Sequence, residues 1–358
     1  MKILQILPCM AYGDAIGNNV IALYKKISKM GYKTGIFAEK IDSRLPLGLV
    51  QYVSELPVLS KEDVIMYHLS IGSKLNYQVS GLVGRLVIVY HNITPPDFYK
   101  KYNREIYEAC LDGIRGREYL ADKAEYCLAD SKYNKADLMK VGYTCKIDVL
   151  PVLIPLKKYE KPPSRKILKK YLNDEFINIL FVGRVVPNKK HEDVISIFYQ
   201  YYTKCNPRSR LFIVGSYEGM EKYFQRLIRY VEQLGLSNVY FTGHLKFDEI
   251  LAYYKIADAF ICMSEHEGFC VPLIEAMYFD IPILAYDSCA IADTLGGSGF
   301  LTNTKNPLLN AFALNRILTD KQLKNTILEN EQNRLNDFKS NIVERKFEEY
   351  LEQFLEDI

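Results

Sequence analysis

Residues 264–277 read SEHEGFCVPLIEAM and place two carboxylates, Glu267 and Glu275, on either side of a predicted helix start. The apolar run just before them is typical of a buried parallel strand. Gly268 allows the backbone to turn, and Pro272 suits the first helical position, where its missing N–H would have no partner. The amides that follow the glycine then lie at a helix N-terminus, which favours an anionic ligand. The stretch therefore predicts a ligand site where a strand meets a helix.

This stretch resembles the signature of the retaining nucleotide-sugar glycosyltransferases of family four, which have the GT-B fold. The resemblance implies that Glu267 contacts the donor sugar and that Glu275 binds the ribose hydroxyls of the nucleotide. It also implies donor contacts from the backbone of Gly268, Phe269, Cys270 and Val271. The alternative is a pair of solvated carboxylates flanking a helix, as most glutamates are.

A second group of charged residues follows the strand predicted at 177–182. Gly183, Arg184 and Lys189 leave this strand together. They resemble the second signature of the same family, which implies that Arg184 and Lys189 neutralise the donor diphosphate beside Gly183. A departing nucleoside diphosphate gains charge as the glycosidic bond breaks, so fixed cations there stabilise the transition state more than the ground state. An ordinary surface pair of cations is the alternative.

The first half of the chain offers weaker candidates at predicted strand ends. A strand at 1–10 leads into a loop with Gly13 and Gly17, where a backbone and a helix N-terminus can approach a phosphate. The resemblance favours that reading over an ordinary tight turn. His91 follows a buried strand predicted within 82–90, and the resemblance implies that it contacts the donor sugar near the reacting carbon. A histidine satisfied by loop carbonyls is the alternative.

Two further segments bear on the ligands. His244 lies in the turn that ends the strand predicted at 238–245, where the resemblance places the nucleobase, held largely by backbone groups. Aromatic and basic residues are interleaved over 96–122 and predict an amphipathic helix pair. A solvated helix face is favoured there over contact with an anionic bilayer surface or a charged lipid-linked acceptor.

The domain organisation follows from a charged, proline-containing stretch at 157–166, which predicts a boundary. The boundary gives a first domain at 1–160 and a second at 165–339, both α/β. The resemblance implies that they are the two Rossmann-like domains of a GT-B fold, facing each other across a cleft, the first on the acceptor side and the second binding the nucleotide sugar. It also implies that a C-terminal helix, at 340–358, crosses back to the first domain.

Composition narrows the class of protein. A chain of 358 residues that is 49% hydrophobic and 25% charged can form two globular domains, and its net charge of +3 is too small to favour nucleic acid. Its eight cysteines show no metal-ligand spacing, which indicates free thiols in a reducing compartment. No apolar run approaches the ~18–20 residues that cross a bilayer. A cytoplasmic protein is predicted, with any membrane contact being peripheral and at the inner face.

Together with the resemblance, these patterns predict a metal-independent retaining hexosyltransferase in surface polysaccharide or glycoconjugate synthesis. Its donor would be a GDP- or UDP-linked sugar, best mannose or glucose, and its acceptor a hydroxyl of a glycan, glycolipid or protein-linked sugar. No convincing Asp-x-Asp motif appears, and no metal or other cofactor is expected. The alternatives are a non-catalytic GT-B subunit acting as a scaffold, and a GT-B epimerase or phosphorylase. The four residues Arg184, Lys189, Glu267 and Glu275 disfavour both.

Overall fold

The computed structural model describes residues 1–172 and 174–356, which form two compact units. Unit 1 comprises Met1–Asp97, Glu105–Pro155 and the chain from Asp337 onward. Unit 2 comprises Phe98–Arg104 and Leu156–Asn336. The chain thus passes from one unit to the other between residues 155 and 156, beside the predicted boundary.

Unit 1 is built on a parallel sheet that, within the described residues, has seven strands in the order β3-β2-β1-β4-β5-β6-β7. The strands are β1 (Lys2–Met10), β2 (Lys33–Ile41), β3 (Gln51–Tyr52), β4 (Val64–Leu69), β5 (Arg85–Tyr90), β6 (Tyr126–Ala129) and β7 (Lys146–Val149). Its first helices are α1 (Ala15–Lys29), α2 (Leu75–Gln78), α3 (Arg104–Tyr119) and α4 (Lys132–Val141). The order reverses between β1 and β4, as in doubly wound sheets, whose ligands bind beyond the strand ends at that point.

Unit 2 has a second parallel sheet, and its strand order in the described part of the chain is β10-β9-β8-β11-β12-β13. The strands are β8 (Ile177–Val182), β9 (Ser209–Val214), β10 (Val239–Gly243), β11 (Ala259–Cys262), β12 (Ile283–Tyr286) and β13 (Phe300–Thr302). The helices are α5 (Arg165–Tyr171), α6 (His191–Lys204), α7 (Glu221–Gln233), α8 (Phe247–Ile256), α9 (Val271–Tyr278), α10 (Ile291–Leu295), α11 (Pro307–Thr319) and α12 (Lys321–Leu335). Strand β8 has the bounds that its continuous apolar run predicts, because a central parallel strand is covered on both faces.

The C-terminal helix α13 (Ser340–Glu356) belongs to unit 1, as the sequence predicts. It buries Val343, Phe347, Leu351 and Phe354, spaced three or four residues apart along one face, in the core formed by the strands of that unit. Burying each such side chain stabilises the fold by about 1.5–3 kcal/mol. The helix is therefore a structural part of unit 1 although the intervening chain forms unit 2.

The prediction of a helix pair over 96–122 is wrong. Within that described segment the chain forms one α-helix, α3, preceded by a 3-10 turn at Pro96–Phe98. Residues 98–104 belong to unit 2, where the Tyr99 hydroxyl donates to Asn188 Oδ1 (3.4 Å) and Asn103 Nδ2 donates to the Gly219 carbonyl (2.8 Å). The aromatic spacing that suggested a first helix reflects this packing.

Among the residues that the structure describes, no helix is both long enough and apolar enough to span a bilayer.

Candidate functional site

Two loops of unit 2 meet at one edge of its sheet. Strands β8 and β11 are neighbours and parallel, so the segments that follow them leave the sheet at the same edge. The Glu265 amide donates to the Asn188 carbonyl oxygen (2.8 Å), and Asn188 Nδ2 donates to the His266 carbonyl oxygen (3.0 Å). Asn188 thereby fixes one loop against the other. Asn188 was not predicted from the sequence, although it lies between the predicted site residues Arg184 and Lys189.

The central feature of this edge is an ion pair between Lys189 and Glu267. Lys189 ends a 3-10 turn after β8, and its ammonium donates to Glu267 Oε1. The two side chains are 18% and 8% exposed. Burial alone would lower the pKa of Lys189, but the Glu267 carboxylate overcomes this and raises it above the ordinary value. The two residues to which the resemblance assigned the diphosphate and the sugar are therefore paired with each other.

Arg184 also lies at this edge of the sheet, but its surroundings differ from those of Lys189. Its side chain is exposed, and among the described residues it has no carboxylate partner. The backbone beside it is tightly packed: a Cβ atom on Gly215 would lie 1.9 Å from the Gly183 carbonyl oxygen, so only glycine fits there. Gly183 is thus held next to the end of β9, and the guanidinium of Arg184 remains available to an anion.

Glu275 is held by two tyrosines that the sequence analysis did not identify. Tyr159 donates its hydroxyl to Glu275 Oε1 and Tyr254 donates to Oε2, both at 2.5 Å. Burial raises the pKa of Glu275 above its ordinary value, while the two hydrogen bonds act in the opposite direction. Each carboxylate oxygen retains a second lone pair, so the tyrosines orient the group without using all of its acceptor capacity.

The turn between the two glutamates leads into α9, which begins one residue before the predicted start at Pro272. The helix starts at Val271 and is preceded by Cys270, whose backbone is left-handed (φ 74°). That conformation favours glycine and is uncommon for cysteine. Phe269 is buried, and its carbonyl oxygen accepts a hydrogen bond from Thr294, which fixes the backbone that follows Gly268. The turn is therefore rigidly placed beside Glu267.

His244 is exposed and directly follows β10. In the sheet order, β10 is separated from β8 by β9, and an isolated bridge joins Gly243 to Gly215. The turn predicted for the nucleobase thus adjoins the edge that carries Arg184.

In unit 1, the predicted glycine loop is part of a helix cap. The Asp14 side chain accepts a hydrogen bond from the Gly17 amide (2.6 Å) and caps α1. A Cβ atom on Gly17 would lie 2.6 Å from that carboxylate and 2.7 Å from the Ala11 carbonyl oxygen. Gly17 is therefore required by the cap itself, whereas Gly13 is exposed and has a left-handed backbone.

His91 lies at the end of β5, and its imidazole is buried, with 1% of the side chain exposed. Its Nδ1 is 2.8 Å from Asp130 Oδ2 and its Nε2 is 2.8 Å from His68 Nδ1. Both ring nitrogens are thus engaged inside unit 1. Contact of this ring with a donor sugar stays a prediction, since it requires the imidazole to leave these partners.

The hydrogen bonds around the two histidines fix their protons. Gln5 Nε2 donates to the Val20 carbonyl oxygen (3.1 Å), which turns Gln5 Oε1 toward His68 Nε2 (3.0 Å). His68 Nε2 must therefore carry a proton, as must His91 Nδ1 opposite the Asp130 carboxylate, and one more proton lies between the rings. Three N–H protons on two rings make the pair a monocation. Burial lowers the pKa of His68 well below its ordinary value.

The structure thus places Arg184, Lys189, Glu267 and Glu275 in unit 2, with the turn at 268–271 and His244. Gly13, Gly17 and His91 lie in unit 1. The assignment of ligand roles to these residues stays a prediction.

Comparison with known proteins gives a family match that lies within unit 2. The family described as Glycosyl transferases group 1 matches residues 162–334. A serotype-specific mannosyltransferase, WbdA of Escherichia coli, is 27% identical over 46% of this chain and 20% of its own length. An alpha-monoglucosyldiacylglycerol synthase of Acholeplasma laidlawii is 32% identical over 37% of this chain and 33% of its own length. The matched segment thus spans a fifth to a third of these relatives.

The whole chain also resembles a solved structure. Anabaena HepE, in complex with UDP and glucose, superposes with a TM-score of 0.78 at 19% identity, over 99% of this chain and all of the other. At this identity the likeness establishes the fold, which is the predicted pair of Rossmann-like units with a returning C-terminal helix. Residues 162–334 thus match the glycosyl transferases group 1 family, and the chain has the GT-B fold.

Proposed function

We propose that this protein transfers a hexose from a nucleotide sugar to a hydroxyl of a glycan or glycolipid, with retention and without a divalent metal. The observation that carries the proposal is the strand-end cluster of unit 2, where an exposed arginine adjoins the buried pair of Lys189 and Glu267. Mannose and glucose are the favoured sugars because the relatives are a mannosyltransferase and a glucosyldiacylglycerol synthase by name. The protein would act in the cytoplasm, including the inner face of the membrane.

The proposed chemistry uses each group of the cluster once. The acceptor hydroxyl attacks the anomeric carbon from the side that the diphosphate leaves. The bond from that carbon to the phosphate oxygen breaks, a bond to the acceptor oxygen forms, and the hydroxyl proton passes to the leaving oxygen. Arg184 and Lys189 stabilise the charge that grows on the diphosphate. Glu267 and the adjoining turn hold the sugar, and Glu275, oriented by Tyr159 and Tyr254, holds the ribose.

The test is a donor-hydrolysis and binding screen with GDP-mannose, UDP-glucose and UDP-N-acetylglucosamine. Arg184→Ala is the sharpest variant, because this side chain is exposed and unpaired among the described residues and its loss should leave the fold intact. We expect kcat/KM to fall at least tenfold, about 1.4 kcal/mol. Arg316→Ala, at an exposed arginine of α11, is the matched control and should leave turnover unchanged.

The scaffold alternative predicts a different outcome of the same screen. A non-catalytic subunit would hydrolyse none of the donors and would bind none of them by calorimetry. Turnover that is equal in wild type and Arg184→Ala would instead remove this arginine from the site.

A further inference from the structure

We infer that unit 2 contains an inhibitory site for a thiophilic divalent cation, formed by Cys262, Glu267 and Cys270. Zinc is the expected physiological occupant, and cobalt and cadmium are its laboratory substitutes. The inhibitory effect rests on the proposed function, whereas cation binding does not.

The ligand set carries this inference. The two Sγ atoms and a Glu267 carboxylate oxygen all lie within 4.8 Å of one another, and all three residues are buried. Two thiolates and one carboxylate are ligands that suit Zn²⁺, and three protein ligands leave a fourth position open. Zinc bond lengths place ligand atoms roughly 3.5–3.8 Å apart in a tetrahedral site. The cluster therefore needs to contract by at most about 1 Å.

A cation already occupies the neighbourhood of these ligands. The Lys189 ammonium donates to Glu267 Oε1. One of the three candidate ligands thus already holds a positive charge, that of the lysine. A divalent ion would displace the ammonium from Glu267, and the two thiols would release their protons as they bind it.

A second observation concerns the backbone conformation of Cys270, which is left-handed (φ 74°). This residue is one of six in the described chain that are not glycine yet have positive φ, and a left-handed backbone is strained for cysteine. Glycine would satisfy the turn without strain, but it would remove the sulfur that faces Cys262 and Glu267. The strained cysteine thus supplies a ligand at a position where backbone geometry favours its absence.

Binding would stop the proposed reaction for a simple reason. Glu267 and Lys189 cannot hold the sugar and the diphosphate while one is a metal ligand and the other has been displaced. The site is therefore a means by which a rise in free zinc would switch the enzyme off.

The experiment is a titration of the reduced full-length protein with Co²⁺, followed by the visible absorption of tetrahedral cobalt–thiolate coordination. We expect one equivalent to give this band and Zn²⁺ to abolish it by displacement. Cys262→Ser and Cys270→Gly should each weaken cobalt binding at least tenfold. Cys270→Gly also relieves the left-handed strain, so it keeps the test decisive if Cys262→Ser fails to fold by circular dichroism.

Two matched controls address the other thiols. Cys289→Ser removes a sulfur that lies 3.5 Å from His266 Nδ1, and Cys145→Ser removes one that lies 3.6 Å from the sulfur of Cys127. Both variants should retain the wild-type band. A band that survives Cys262→Ser and Cys270→Gly, or no band at all, would overturn the inference.

Activity separates this inference from the proposed function. If donors are hydrolysed and Zn²⁺ inhibits wild type but requires at least tenfold more metal against Cys262→Ser, both stand. Cobalt binding at the two cysteines without turnover of any donor would refute the function alone. Turnover that is insensitive to Zn²⁺ would refute the inhibitory role.

Discussion

The pair of Lys189 and Glu267 makes a quantitative prediction that distinguishes a structural ion pair from a working one. Lys189→Met leaves the Glu267 carboxylate buried without its cationic partner. Glu267→Gln likewise leaves the Lys189 ammonium without its anionic partner. Removing one partner of a buried pair destabilises a protein by about 3–5 kcal/mol. Because the lysine side chain keeps 18% exposure, we expect the lower end of that range, about 3 kcal/mol, for each single variant.

The double variant should recover most of this loss. Neutral side chains of similar size commonly replace a buried pair at little cost, so we expect a stability within about 1–2 kcal/mol of wild type. The coupling energy of the cycle is then at least about 4 kcal/mol. Donor turnover should behave differently and stay low in all three variants, because the charges themselves are proposed to hold the donor.

The assay must report on unit 2, because unfolding of a chain with two compact units is not guaranteed to be two-state. Hydrogen exchange of the amides in β8 and β11 gives a local free energy of opening. The matched control is the exposed pair of Arg208 and Glu175 in the same unit, whose side chains are 69% and 79% exposed. Its coupling should lie within about 1 kcal/mol of zero. An equally small coupling for Lys189 and Glu267, or recovery of turnover in the double variant, would refute the reasoning.

Two further predictions concern buried titratable groups. Burial raises the pKa of Glu331 to about 8, although its carboxylate accepts a hydrogen bond from the Ile283 amide (3.0 Å). Because the pKa is raised in the folded state, the contribution of Glu331 to stability is greatest below pH ~4.5 and is lost as pH rises through about 8, by at most about 5 kcal/mol. Glu331→Gln should flatten this fall in the local free energy of opening. Equal pH profiles for the variant and the wild type would contradict the prediction. For the histidine pair, nitrogen-15 NMR should show three protonated ring nitrogens over His68 and His91 together, as the hydrogen bonds to Gln5, to Asp130 and between the rings require. His91→Gln assigns the signals, and only two protonated nitrogens would show that the proton count is wrong.

Sequence patterns predicted those parts of the fold that depend on periodic burial. The apolar run at 177–182 gave the bounds of β8 because a central parallel strand is apolar on both faces. The start of α9 was likewise predicted to within one residue from Gly268 and Pro272, because proline is favoured in the first turn of a helix. In each case the determining interaction is local or repeats along the element.

The failures arise where distant partners decide the structure. Tyr159 lies in a stretch whose lysines and prolines predict a surface connection, yet it is buried and packs against Phe247, Tyr278 and Phe279. Its hydroxyl meets Glu275, 116 residues away in the chain. No local pattern carries that information. The helix prediction near Tyr99 failed for the same reason. The partners of Tyr99 and Asn103 are Asn188 and Gly219, which are distant in the chain.

For the part of the candidate site that lies in unit 2, sequence patterns placed Lys189 and Glu267 at neighbouring strand ends but could not indicate which of their atoms are already engaged. Lys189 and Glu267 are 78 residues apart, but they follow neighbouring parallel strands, so their meeting is a consequence of strand order. Their mutual ion pair, by contrast, depends on side-chain conformation. A donor diphosphate must compete with Glu267 for the lysine, whereas it meets Arg184 exposed and with no carboxylate partner among the described residues. Arg184 is therefore the cation that can capture a donor without first breaking an internal interaction, and its substitution tests donor binding more directly than that of either buried partner.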